Sequence, residues 1–450
     1  MERIKDWKSY QKILNRRKYK KNRFIEVIKY FVLFVFIVLF FYGSFKIYFY
    51  GKSIFVSANK KVYGTGIRPI SFVKKKRIEK ISNFVPENIK SLNSLKKYFK
   101  RNPPLFKVIK DGRYIQKIGN YIVVYTVDPV VQEEAEKIFK KYSVPFGVLA
   151  AVNPETGAVL GFESYAQNKN KASEISPLIA YPPGSLAKII TASAAIESKG
   201  FYPQLNICFN GTLYGTNKTN WEENIGTGSN DISFKEAFAK SCDVAFGKVA
   251  GYYVGRNLLI RYFNKFYFNK KIPFALNLRE SKAYIPKRFY QLELTGAGFE
   301  NVEITPVQAA LIAAAAINGG KLVKPYIIKE IINSYGKVVY IHKNTKILTS
   351  PITKKTAFIL KRMMIATIVN GVAHSDFYSR SNRYMLPGVA TGGKTGTISG
   401  NDPAGLYQWF AGFGESKGKE IALSSLVVEK PLWSIEGGGV AEKTIFAYFF

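Results

Sequence analysis

The chain has 450 residues and carries 67 Lys and Arg against 31 Asp and Glu, a formal net charge of +36. With 47% hydrophobic and 15% aromatic residues it can fill a sizeable core, which excludes global disorder, and its length predicts two or three folding units. Two cysteines, Cys208 and Cys242, exclude a disulfide scaffold and a four-cysteine zinc site, and two histidines, His342 and His374, argue against a histidine-based hydrolytic triad.

The charge is concentrated near the N-terminus. Residues 1–29 hold 11 basic and 3 acidic side chains and read as a basic tail. Tyr30–Phe45 is an uncharged, all-round apolar run, and continuing past Lys46 to Tyr50 gives about 31 Å of helix, enough to cross a hydrocarbon core of ~30 Å. Residues 30–50 are therefore predicted to be an uncleaved transmembrane helix, with Lys46 snorkelling and Tyr42, Tyr48 and Tyr50 at an interface. The basic excess before the run places the N-terminus in the cytoplasm and everything after residue 50 outside it. Residues 51–122 hold 18 basic and 3 acidic side chains and read as a stalk or small pedestal without chemistry of its own. No zinc finger, aromatic RNA-binding signature or basic-helix heptad accompanies the charge, so a nucleic-acid partner is not expected; anionic lipid or an acidic wall polymer suits it better.

From Tyr121 the texture changes. Tyr121–Val127 is a strand candidate, and Asp128-Pro129 starts a helix that runs through Lys141. Pro145–Val152 and Ala158–Ser164 flank Asn153–Gly157, a hairpin turn. Helices are predicted over Ser185–Lys199, Ser233–Val249, Pro306–Asn318 and Thr353–Val369, and a second strand pair over Gln408–Gly414 and Glu420–Val428. Strands at both ends with helices between predict an α+β domain over 123–450, an antiparallel sheet flanked by helices and closed by both ends of the chain.

Three motifs carry chemistry. Ser185-Leu-Ala-Lys188 follows Tyr181-Pro-Pro-Gly184 and opens a helix, so Lys188 lies three residues on and within reach of the Ser185 hydroxyl. A serine nucleophile needs a base, and with no suitable histidine a lysine must serve, helped to lose its proton by burial and by the positive end of the helix. The pattern S-x-x-K occurs seven times, but only here does a proline–glycine lead-in meet an apolar helix; elsewhere an N-cap serine with a solvated lysine suffices. Lys394-Thr395-Gly396-Thr397 is the only K-T-G, set in a glycine-rich strand candidate over Val389–Thr397. It reads either as an edge that holds a carboxylate and pairs with a peptide, or as a bulged edge with a charged solvent face. Ser241-Cys242-Asp243 taken alone is a polar helix edge, within a helix that Ser233 and Glu236 could start as a capping box.

In this order, S-x-x-K at 185, S-x-D at 241 and K-T-G at 394 resemble the active-site motifs of penicillin-binding transpeptidases and serine β-lactamases. The resemblance covers roughly residues 121–450 and includes Asp128-Pro129 with Gln132, Val152–Gly157, Gly296-Ala-Gly298 to Thr305-Pro306, Asn318-Gly-Gly320 and Trp409-Phe-Ala-Gly412. It implies a catalytic group of Ser185 as acylated nucleophile, Lys188 as general base, Ser241 as proton relay and Asp243 as an orienting group. It also implies that Lys394, Thr395, Gly396 and Thr397 bind the substrate's terminal carboxylate, with the Ser185 and Thr397 N–H groups as oxyanion hole. Many relatives carry Asn where Asp243 stands, and some elongation-type members have S-C-D as here. No cofactor or metal is implied.

Residues 51–122 are too few for a glycosyltransferase domain, which favours a monofunctional, class B-like peptidoglycan D,D-transpeptidase in the bacterial cytoplasmic membrane. The partners implied are peptidoglycan stem peptides, β-lactams, membrane lipid through residues 30–50, and a separate glycosyltransferase or other wall-synthesis membrane proteins. The alternatives are a penicillin sensor or class D-like β-lactamase, and a catalytically silent wall-synthesis scaffold.

Overall fold

The computed structural model describes residues 92–101, 103–216, 218–221, 230–429 and 434–450, all within one compact unit, Ser82–Phe450. The expected basic tail 1–29 and transmembrane helix 30–50 lie outside the described residues, among which no helix is long and apolar enough to cross a membrane.

Ten strands form two five-stranded antiparallel sheets. The first is made of β1 (Val108–Lys110), β2 (Arg113–Ile118), β3 (Tyr121–Tyr125), β6 (Ile328–Asn333) and β7 (Val338–Ile341), in that order across the sheet. The second, central sheet contains β4 (Phe146–Val152), β5 (Val159–Ala166), β8 (Ala390–Asn401), β9 (Ala404–Ser416) and β10 (Lys419–Glu429), ordered β8-β9-β10-β4-β5. The early pair β4–β5 joins the late trio through β10, with Val152 opposite Ala422 and Phe146 opposite Val428, so both ends of the chain close it as expected. Among the described residues strand β8 pairs with β9 alone and forms one edge.

Besides two one-turn helices, Lys218–Trp221 and His374–Phe377, the α-helices of the described residues are α1 (Leu92–Arg101), α2 (Pro129–Lys141), α3 (Lys188–Lys199), α4 (Phe234–Ala239), α5 (Asp243–Lys248), α6 (Gly255–Lys265), α7 (Phe289–Ala297), α8 (Pro306–Ala315), α9 (Lys354–Val369) and α10 (Gly437–Phe449). The central sheet is covered on both faces, and the pleat of β4 shows it. Val148, Ala150 and Val152 belong to one apolar cluster, shared with α3 and α8, while Leu149 and Ala151 belong to the other, shared with α2 and α10. Every residue of α8 is buried, and its Ala-rich sequence lets it lie close against the sheet. The described part is thus a three-layer α+β fold of antiparallel sheets flanked by helices.

Local chemistry explains most boundaries. Asp128 caps α2 by accepting from Val130 N–H at 2.9 Å, Pro129 occupies the first helical position, and the helix ends at Lys141 as predicted. Asn153 Oδ1 accepts from the N–H groups of Glu155 and Thr156 at 3.1 and 2.8 Å, which shapes the β4–β5 turn.

Two helix expectations need correction. The helix predicted over Ser233–Val249 is two helices, α4 and α5, broken at Lys240–Cys242, because Ser241 takes a left-handed conformation with φ of 57°. The helix predicted over Pro306–Asn318 ends at Ala315. Residues 122 and 123 both lie in β3, with which β2 forms a hairpin (Ile118 opposite Tyr121), and the same sheet takes in β6 from far along the chain.

Candidate active site

The proline–glycine lead-in to Ser185 builds a tight turn. Gly184 has φ of 54°, and Gly184–Ala187 form a single 3-10 turn from which α3 continues at Lys188, so Ser185 precedes the α-helix instead of lying within it. Two elements press on this turn. Gly298, with φ of 101°, sits so close that a Cβ there would lie 2.0 Å from Gly184 O, so only glycine fits. On the other side Gly396 faces Pro183 O, where a Cβ would come within 2.3 Å, and Trp409 Nε1 donates to Pro182 O at 2.8 Å. The edge strand β8 therefore lies directly against the serine turn, with Thr397 N–H beside Gly184.

Ser185 is half-buried, and its Oγ is 2.6 Å from Lys188 Nζ. Lys188 is completely buried and also donates to Asp243 Oδ1 at 2.7 Å and to Ala297 O at 3.0 Å. A lysine withdrawn from water needs such partners, because an uncompensated buried charge is very costly.

Ser241 reaches the site through the break between α4 and α5. Its N–H donates to Phe238 O at 3.1 Å and that of Cys242 to Ala237 O at 2.8 Å, a Schellman ending with a serine where glycine is usual. The hydroxyl accepts from Lys394 Nζ at 2.8 Å, and Lys394 also donates to Thr395 O at 3.1 Å. Lys394 is fully buried on β8; burial first, and repulsion from Lys188 second, hold its ammonium well below the usual lysine range, while Asp243 opposes them.

The structure thus brings all eight expected residues together, as two pairs on facing walls: Ser185 with Lys188, backed by Asp243, and Ser241 with Lys394. Ser241 Oγ meets Lys394, and among the described residues it makes no hydrogen bond to Ser185 or Lys188. Thr395 is half-buried and Thr397 exposed at the edge of β8. Beyond Thr397 the edge opens on a cleft of about 640 Å³, lined by Pro182, Phe299, Asn301, Ile398 and Ser399 among others. Cys242 is buried and unpaired, and burial raises its thiol to about 12, which suits packing and not nucleophilic attack; Cys208 is likewise a free thiol.

The sequence motifs did not disclose the Ala297 carbonyl, because a backbone acceptor leaves no side-chain signature. Thr191 was also missed, although its place three residues beyond Lys188 sets it on the same helical face. It donates to Gly296 O at 2.7 Å.

A fold of this kind with a Ser–Lys pair at the edge of its central sheet is the architecture of a protein class, and the comparisons identify that class. A family model described as the penicillin binding protein transpeptidase domain matches residues 147–449, and the chain belongs to this family. It is 27% identical over 293 residues to stage V sporulation protein D of Bacillus subtilis, covering 60% of this chain and 42% of that protein. It is 26% identical over 313 residues to the peptidoglycan D,D-transpeptidase PbpA of Mycolicibacterium smegmatis, covering 62% of this chain and 61% of that one. The chain therefore spans about half the length of these two curated relatives. Among solved structures, the penicillin G acyl-enzyme complex of penicillin-binding protein A from Mycobacterium tuberculosis superposes with a TM-score of 0.59 at 24% identity, over 73% of this chain and 80% of that one.

Proposed function

We propose that the chain is a peptidoglycan D,D-transpeptidase that cross-links stem peptides through an acyl-enzyme on Ser185 and is covalently inhibited by penicillins. The observation that carries this reading is the 2.6 Å contact between a half-buried serine hydroxyl and a fully buried lysine amine, on a turn packed against the edge strand β8. In this reading the acyl-donor peptide pairs with the open edge of β8, and its terminal carboxylate rests by Lys394, Thr395 and Thr397. Lys188 takes the Ser185 proton as Oγ attacks the penultimate D-alanine carbonyl. The Ser185 and Thr397 N–H groups hold the developing oxyanion, a contribution of ~3–4 kcal/mol per donor in comparable acyl-transfer sites. Ser241 passes a proton to the departing D-alanine amine as the peptide C–N bond breaks, and takes one from the Lys394 ammonium. An amine from a second stem peptide then attacks the acyl-enzyme and gives up a proton through Ser241 to Lys394, and the ester bond breaks as Lys188 returns its proton to Ser185 Oγ.

The site needs no metal or cofactor for these steps. The location proposed is the bacterial cytoplasmic membrane, with residues 30–50 as anchor in membrane lipid, residues 1–29 inside, and the catalytic unit outside beside a separate glycosyltransferase. The support for this placement is the apolar run and its basic flank.

Acylation of the purified protein by a labelled penicillin tests the proposal. Wild type takes up one label per chain and releases it slowly, and Ser185→Ala, still folded, takes up none. Fast release would make the protein a β-lactamase-like hydrolase, and no uptake by wild type would leave a silent scaffold.

A further inference from the structure

Helix α7 ends inside the protein with its carbonyl end facing α3. The last four carbonyls of a helix have no partner within it, so their acceptors must be accounted for. Leu294 O and Thr295 O receive the Gly298 N–H at 2.9 and 3.1 Å, and Leu294 O also receives that of Phe299. The remaining two are taken by side chains of α3. Thr191 Oγ1 donates to Gly296 O at 2.7 Å and Lys188 Nζ donates to Ala297 O at 3.0 Å.

Thr191 is fully buried in the interior of α3. A hydroxyl there ordinarily returns to a carbonyl of its own helix, as Ser193 does by donating to Ile189 O at 2.7 Å. Thr191 instead directs its hydroxyl to the neighbouring helix, beside the seat of the lysine.

The stereochemistry at Lys188 gives this placement a purpose. As a neutral amine its nitrogen has two N–H groups and one lone pair. Three oxygens surround it: Asp243 Oδ1 at 2.7 Å, Ala297 O at 3.0 Å and Ser185 Oγ at 2.6 Å. An ionised carboxylate and a carbonyl can only accept, whereas a hydroxyl can donate. The two N–H groups therefore go to Asp243 and Ala297, and the lone pair is left facing the Ser185 hydroxyl.

We propose that Thr191 is a positioning residue for acyl transfer: by occupying the Gly296 carbonyl it leaves the Ala297 carbonyl as the single seat for Lys188 at the end of α7, and so aims the amine's lone pair at Ser185. The proposal rests on the reading of Lys188 as general base. Without the Thr191 hydroxyl, Gly296 O becomes an unpaired buried acceptor next to the amine, and Lys188 turns toward it and away from the serine.

The test is the rate of acylation by a fluorescent penicillin, read together with the fraction labelled at saturation, for wild type, Thr191→Val and Thr191→Ser. Valine preserves the shape and removes the donor. The expected result is a maximal rate lower by about tenfold or more at an unchanged labelled fraction, and restoration to within about threefold by serine. A valine variant with the wild-type rate overturns the proposal. So does one that loses only its labelled fraction while the remainder reacts at the wild-type rate, since that is the signature of a merely structural residue. If the valine variant does not fold, Thr191→Ala carries the same expectation. Failure of wild type to label at all is a different result, and it removes the acyl-transfer reading beneath the proposal.

Discussion

Ser241 occupies a position that glycine would fill with less strain. Its left-handed φ of 57° costs a serine about 1 kcal/mol relative to glycine. The conformation brings the hydroxyl to Lys394 at 2.8 Å, a contact that a continuous helix would have pointed elsewhere. Replacing Ser241 with glycine or with alanine removes the hydroxyl in both cases, yet only glycine relieves the backbone. The glycine variant should therefore be about 1 kcal/mol more stable than the alanine variant in urea unfolding, while acylation falls about 100-fold in both. Equal stabilities would show that the turn is not strained. Asp243 gives a second test. Its carboxylate accepts from Lys188 Nζ at 2.7 Å and holds the amine beside Ser185. Asp243→Asn keeps an oxygen acceptor at this place and should keep acylation by labelled penicillin, whereas Asp243→Ala removes the acceptor and should slow it by about tenfold or more. Complete loss of acylation in the asparagine variant would give the carboxylate a direct role, and an unchanged rate in the alanine variant would show that it does not hold the amine.

Elements differ in how plainly their sequence announces them, and the differences have local causes. Helix α2 was readable at both ends because Asp128 and Pro129 act within one turn of the residues they cap. The β4–β5 hairpin was readable because Asn153 and Gly157 define the turn themselves, and Gly157 has φ of 79° as such a turn requires. The break between α4 and α5 was hidden, since its Schellman ending uses serine and the apolar pattern continues through Cys242 and Val244. The first sheet was hidden for another reason: β3 pairs with β6, whose Ile331 sits opposite Val123, and no local pattern encodes so distant a neighbour. At the site, the serine and lysine motifs gave every side chain that the two pairs use. What they could not give was the carbonyl end of α7, which acts through its backbone.

At the scale of the whole molecule, the described residues form part of one compact unit, Ser82–Phe450, that includes β1, β2 and α1. Cutting the chain before residue 123 would remove β1, β2 and α1, and with them the pairing of Gln116 with Val123 and the buried Tyr98, Phe99 and Tyr114. A fragment spanning 82–450 should be soluble and acylate like the full chain, whereas one spanning 123–450 should aggregate through the bared edge of β3. Size-exclusion chromatography and penicillin labelling of the two fragments decide this, and a monomeric, fully active 123–450 would return the boundary to where the composition placed it.

The closure of the central sheet by both ends of the chain also sets an order of events. Strand β4 emerges early but cannot pair with β10 until Lys419–Glu429 has been made. The indole of Trp409 that holds Pro182 comes from 227 positions further on. Such distant contacts slow folding, because the loop between them must be ordered before they form. On the proposed function, competence to be acylated is therefore among the last properties a refolding chain should acquire, and a penicillin added during refolding should count only the molecules that have finished.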